Sequence, residues 1–242
     1  MQEKRIIKIA GEEYTFNIFI ERRNSTRVSI TNHGVNIRIP KHLSSRNKEK
    51  ETNELIHWAA TRIQDTALSK QKKKKYQHND YLKTHSKIYR LQIEIRPSEK
   101  NFSKIQGNYI IFKIADKHNE QARQKYISKQ LQKLLSKHHH AELINHVNRI
   151  NQTHFNKEIN KICYKYTKSR WGACKTKDKE IDISTKLLLA PLPILEYVIV
   201  HELAHLIEPS HSKRFWNIVA SVDQNYKRKK KWLHQNGNDL HL

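Results

Sequence analysis

The chain has 242 residues, enough for one large domain or two small ones and for a substantial core. Apolar residues make up 36% and aromatics 8%, above what a disordered chain carries, and only 5 Gly and 5 Pro exclude long flexible linkers. With 47 Lys and Arg against 23 Asp and Glu, the formal charge of +24 repels itself when compact and attracts polyanions. Nucleic acid through a basic surface is the first such partner and an anionic membrane surface the second; a generally basic proteome explains the same number with no partner.

The opening MQEKRIIKIAGEEYTF is charged from residue 3 and has no apolar core of a secretory signal. The first 40 residues read as β structure: EYTFNIFIE, TRVSI and VNIRI are rich in β-branched and aromatic residues, and Asn32-His33-Gly34 reads as a tight hairpin turn in which Gly34 takes positive φ. Residues 44–70 turn helical, capped by Ser44 or Ser45, with Leu55, Trp58, Ala59, Ile63 and Leu68 on one stripe. The lysine run 72–75 reads as a solvated helix end or loop. KIYRLQIEI (87–95) and NYIIFKI (108–114) are two strands around a polar loop, followed by one long helical stretch over roughly 117–150. His138, His139 and His140 inside it point around the helix and cannot share one metal, so they are expected at the surface. KICYKY (161–166) and EIDIS (180–184) read as strands around a polar loop, SRWGACKTKDK. A helix from about Pro193 to Ile207 and a last amphipathic helix from about Lys213 to Gln235 close the chain, and no internal repeat is visible. The fold class is α+β: a β-rich N-terminal region with one helix over 1–115 and a second region over 116–242, or one continuous domain over most of the chain.

Cys163 and Cys174 lie eleven apart with no CxxC pair, which reads as reduced thiols in a cytoplasmic protein. The most apolar run, LLLAPLPILEYVIV, is broken by Pro191, Pro193 and Glu196; it is a buried segment rather than a membrane span.

The chemistry lies in VIVHELAHLIEPSH (198–211). His201 and His205 at i and i+4 share one helix face and can reach one ion, while Glu202 stands beside them as a base for a metal-activated water. In a chain with 16 His, HExxH arises by chance in roughly one case in fifteen. Catalytic zinc usually takes a third protein ligand, and His211, past the helix-stopping Pro209, supplies it. Asp223 and Glu208 are alternative third ligands. The spacing HExxHxxxxxH also fits metzincins, but Glu208 stands where those carry Gly, and Met1 is the chain's one methionine, so no Met-turn exists. The stem Ile194, Leu195, Val198, Ile199 and Val200 is apolar nearly all round, which means buried.

SRWGAC (169–174), EIDIS, LAPLPILEYVIVHELAHLIEPSHSKRFW (189–216), YKRKKKWL (226–233) and the opening RRNSTRVSITNHGVNIRIP together resemble the YgjP-like family of zinc metallopeptidases, distantly related to SprT-like proteases. Ala173 stands where relatives often have Ser. The resemblance implies a zincin-like catalytic region, one zinc ion on His201, His205 and His211, Glu202 as the catalytic residue, and a protein or peptide substrate. Arg170 and Trp171 are expected to pack under the helix, and Arg170 and Tyr197 are the candidates to stabilise an oxyanion. EIDIS is expected as the edge strand onto which an extended peptide adds. The competing reading is a zinc-stabilised nucleic-acid-binding protein with little or no peptidase activity, resting on the charge and on the basic stretches 72–75 and 227–231.

Overall fold

The computed structural model describes residues 2–31, 34–71, 75–167 and 169–242, with the side chains of 2 and 65–71 left aside. It is an α+β protein that divides into two compact units, 1–73 and 74–242. The boundary read from sequence, 115/116, falls inside the second unit, because the strands before it share one core with the helices after it.

The first unit holds β1 (Gln2–Ile9), β2 (Glu12–Glu21), β3 (Arg27–Thr31), β4 (Gly34–Pro40) and helix α1 (Ser45–Gln71). Its sheet runs β1-β2-β4-β3, with β2 and β4 parallel and the outer pairs antiparallel. Phe16, Ile18, Val35, Ile37 and Ile39 alternate onto one face and meet Ala59 and Ile63 of α1. Trp58, expected on that stripe, is 52% exposed. Gly34 does take positive φ (+130°), and a Cβ there would run into the Thr15 carbonyl. Asn32 and His33 of the expected turn, and Lys72–Lys74 of the lysine run, lie outside the described residues.

The second unit repeats this plan before departing from it. β5 (Tyr81–Lys83), β6 (Ile88–Arg96), β7 (Phe102–Gln106) and β8 (Tyr109–Ala115) form a sheet of order β5-β6-β8-β7 with the same parallel central pair. Arg27, Gly34 and Ser45 open β3, β4 and α1; Phe102, Tyr109 and Glu120 open β7, β8 and α2 (Glu120–His138), each 75 residues further on. The buried positions correspond at the same shift: Phe16 with Leu91, Val35 with Ile110, Ile37 with Phe112, Ile39 with Ile114. The sequence reading missed this internal repeat because the matched core residues share pattern and not identity.

The expected single helix over 117–150 is two, α2 and α3 (His140–His154), broken at His139. Of the three consecutive histidines only His138 is exposed. His139 is buried, accepts at Nε2 from the Tyr89 hydroxyl (2.9 Å) and donates from Nδ1 to Glu142 (2.7 Å), correcting the surface reading. A three-stranded sheet follows, order β10-β11-β9, from β9 (Lys161–Lys165), β10 (Gly172–Lys175) and β11 (Glu180–Ser184). EIDIS is therefore the central strand, paired with β9 in parallel and β10 antiparallel, and four of its five residues are buried. The edge strands are β9 and β10, the latter inside what the sequence presents as a polar loop. A 3-10 turn (Thr185–Leu189) leads into α4 (Leu192–His205), and the expected last helix is also two: α5 (Lys213–Val222) and α6 (Tyr226–Asn236). No described helix is long and apolar enough to cross a membrane.

Candidate metal centre

Helix α4 carries the first two histidines. Ile194, Leu195, Val198, Ile199, Val200, Leu203 and Ala204 are all buried, so the helix is fixed on nearly every side. Its first turn tolerates Pro193, whose missing N–H would be unpaired there anyway. Its regular turns end at His205, and the chain bends through Pro209 before Ser212 caps α5 by accepting from the Phe215 amide (3.3 Å). His211 sits immediately before that cap and turns back onto α4.

The result is a tight triad. One ring nitrogen from each of His201, His205 and His211 lies within 4.8 Å of the others, and the Nε2 atoms of His201 and His211 are 3.0 Å apart. The ring centroids are 4.7–5.0 Å apart. The buried ring of Phe215 lies beneath all three, 4.5–4.9 Å from each imidazole, which makes it a shared apolar plate. His205 Nδ1 donates to the Glu208 carbonyl (3.2 Å), which leaves its Nε2 lone pair available. Burial, reinforced by His205, His211 and Lys230, pulls His201 down to about 3, so its ring is neutral at pH 7. The alternative third ligands are engaged elsewhere: Asp223 pairs with Lys229 (2.8 Å) and Glu208 accepts from the Ser210 hydroxyl (2.7 Å).

Glu202 is 5% exposed and faces a cavity of about 880 Å³ that the three histidines also line. Burial pushes its carboxyl up to about 8 against the opposing Arg170 charge and a hydrogen bond from the Cys174 backbone, with Asp182 raising it further. Positive charge at the triad would draw it down again. Gly172, at the start of β10, explains why SRWG contains a glycine: a Cβ there would meet Glu202 Cγ and Cδ at 2.7 Å. Arg170, expected to pack, is exposed and lines the cavity. Trp171 lines it too while packing on Gly237. Tyr197, one turn before His201, is also in the wall. The sequence reading gave no site role to Gly172, Cys174, Phe215, Trp216 or Lys230. Only the glycine carried a local signal, as a residue with no side chain directly after Arg170 and Trp171.

Cys163 and Cys174 are free thiols. Cys163 donates to Asp182 (3.0 Å), and burial, then Glu202, pushes the Cys174 thiol up to about 11.

A 59-residue stretch is 41% identical to the UTP pyrophosphatase of Escherichia coli (strain K12), covering 24% of this chain and 35% of that protein. The chain thus spans about a third of the length of the curated relative it matches. Among solved structures, the metallopeptidase zymogen of Pyrococcus abyssi abylysin superposes with a TM-score of 0.35 and 19% identity, over 38% of this chain and 93% of that one. The zymogen of Methanocaldococcus jannaschii jannalysin gives 0.35 and 22%, over 38% and 94%. The profile of the YgjP-like family, a metallopeptidase domain, matches residues 24–236, nearly the whole length, and the chain belongs to that family.

Proposed function

We propose that the chain is a zinc-dependent peptide hydrolase in which His201, His205 and His211 hold one ion and Glu202 is the general base. The observation that carries this reading is the convergence of three imidazoles beside a buried carboxylate in one cavity. The residues suit a metal on their own chemistry. His201 Nδ1 is buried without a hydrogen-bond partner among the described residues, its Nε2 faces another imidazole nitrogen, and a set of three imidazole donors favours zinc. A divalent ion there would supply Lewis-acid activation of a water and of a carbonyl.

Glu202, held by the Cys174 amide and wedged against Gly172, takes a proton from the attacking water and returns it to the leaving amine. Arg170 and Tyr197 line the same wall and are the candidate donors to the developing oxyanion. β10, which pairs only with β11 among the described strands, offers its other edge to an extended peptide, the role the sequence reading gave to EIDIS. Glu202→Gln is expected to keep its metal and lose cleavage by about 10²–10⁴-fold, while His205→Ala loses both. Elemental analysis beside a casein-type assay, with and without chelator, checks this; cleavage that survives in Glu202→Gln removes that residue from the mechanism.

A second reading is hydrolysis of a nucleoside triphosphate at the same site, suggested by the name of the curated relative. The cavity favours it to this extent: its lining includes Arg170 and Lys230 but one carboxylate, Glu202. Pyrophosphate release from UTP that vanishes in Glu202→Gln, with peptides untouched, selects this reading. Nucleic-acid binding rests on net charge and on the basic stretches 72–75 and 227–231, of which Lys72–Lys74 lie outside the described residues. Within its basic stretch 227–231, Lys229 is tied to Asp223 and Lys230 lines the cavity.

A further inference from the structure

Resting on the reading that this cavity is the hydrolytic site, we infer that it selects substrates carrying an anionic group beside the bond that is cut, and that Lys230 is the residue that recognises that group. The cavity is lined by two basic side chains from different elements, Arg170 before β10 and Lys230 on α6, and by the single acid Glu202. The charge of Arg170 already acts on Glu202, whose carboxylate it favours. Lys230 has no carboxylate within 4 Å among the described residues, whereas its neighbour Lys229 is held by Asp223. Of the five basic residues 227–231, only Lys230 reaches the cavity.

Its ammonium is also held in place. Lys230 Nζ sits 4.4 Å from the centroid of the Trp216 ring, which stacks on Tyr226 (5.5 Å, 18°). Trp216 in turn lies 5.8 Å from the rings of both His201 and His211. The positive charge is therefore fixed close enough to the triad for an extended substrate of a few residues to span both. Lys230 is solvent-exposed, and its contact with the aromatic platform narrows the positions its ammonium takes, so it gives up less side-chain freedom on binding than a lysine with no such contact. The complementary chemistry is an anionic oxygen group: the carboxylate of an acidic peptide residue or a phosphate of a nucleotide.

The test uses the zinc-loaded full chain, matched fluorogenic peptides differing by Glu against Gln near the scissile bond, and UTP as the phosphate arm. Wild type is expected to prefer the Glu peptide by about fivefold in kcat/KM, carried mainly by KM and shrinking as salt is raised. Lys230→Ala brings the ratio to about 1 and Lys230→Glu inverts it. If UTP turnover shows the Lys230 dependence and the peptides do not, phosphate is the recognised source. Turnover of peptides or UTP that is indifferent to both Lys230 variants overturns the inference and leaves the hydrolytic reading standing. Binding supplies the second readout, with acidic peptide and inorganic pyrophosphate titrated onto Glu202→Gln alone and combined with Lys230→Ala. Lys230-dependent binding without turnover of any substrate by the wild type overturns the hydrolytic reading and keeps charge selection. Binding that ignores Lys230 removes charge selection.

Discussion

At Gly172 a single hydrogen atom separates a packed carboxylate from a displaced one. A methyl group there would lie 2.7 Å from Glu202 Cγ and Cδ, and Glu202 is confined between β10 and α4, so it is the carboxylate that must move. Gly172→Ala is expected to retain metal and fold, since the triad stands on other atoms, yet to lose more than about tenfold in kcat. Elemental analysis, far-UV circular dichroism and steady-state kinetics check the three parts separately. The histidine triad was legible in the sequence because helix spacing alone puts His201 and His205 on one face and Pro209 announces the bend before His211. Gly172 and Phe215 were not legible in that way. Their importance comes from what they touch across the fold, and a glycine in SRWGAC or an aromatic on an amphipathic helix has many duller explanations.

At the scale of elements, His211 depends on where α5 begins. Ser212 caps that helix through the Phe215 amide, and Phe215 is the plate under all three imidazoles, so the cap fixes the third histidine and the plate together. Ser212→Ala is expected to cost about 1 kcal/mol of stability and to weaken metal affinity about tenfold, with Ser212→Thr restoring both. Thermal melts and competition with a chromogenic chelator measure these effects. Helix and strand existence was readable where periodicity was long, as in β2, β4, β6, β8 and α4. Breaks and short edges were not. His139 and the Asp223–Asn225 turn carry no Gly or Pro to mark the ends of α2 and α5, and β10 is four residues, GACK, whose alternation is too brief to distinguish from a loop. The edge role therefore went to EIDIS, whose apolar residues in fact mark a strand covered on both sides.

Across the second unit, a buried polar cluster contributes to the response to acid, beside the depressed His201 of the triad. The His85 side chain is 1% exposed with neither ring nitrogen hydrogen-bonded, although Nδ1 lies 3.4 Å from Glu142. His139 and His146 approach the same carboxylate, and His146 and Arg149 approach Glu196 on α4. Burial, aided by His139 and His146 and opposed by Glu142, holds His85 below its ordinary 6.5. Burial alone would raise Glu142, but its hydrogen bond from His139 and the charge of His85 keep it below its ordinary 4.5. An unfolded chain takes up a proton at His85 near 6.5 while the folded one resists, so stability falls as pH drops through that value; Glu142 adds a further loss below 4.5 in the same direction. Melts in chelator from pH 7.5 to 5 are expected to show a falling Tm, with a shallower slope in His85→Leu; equal slopes would exclude the cluster as the source. The same unit also contains the second copy of the sheet-and-helix plan. Because a 75-residue shift superimposes the inward-facing positions of β2 and β4 on those of β6 and β8, each of these strands meets two chemically acceptable mates while the chain collapses. What separates right from wrong pairing is the outward row of each strand, where Asn17 faces Asn36 in one copy and Gln92 faces Ile111 in the other. Swapping the outward rows of β2 and β6 is therefore expected to slow refolding more than it lowers the stability of the finished molecule, which stopped-flow refolding beside equilibrium melts would check.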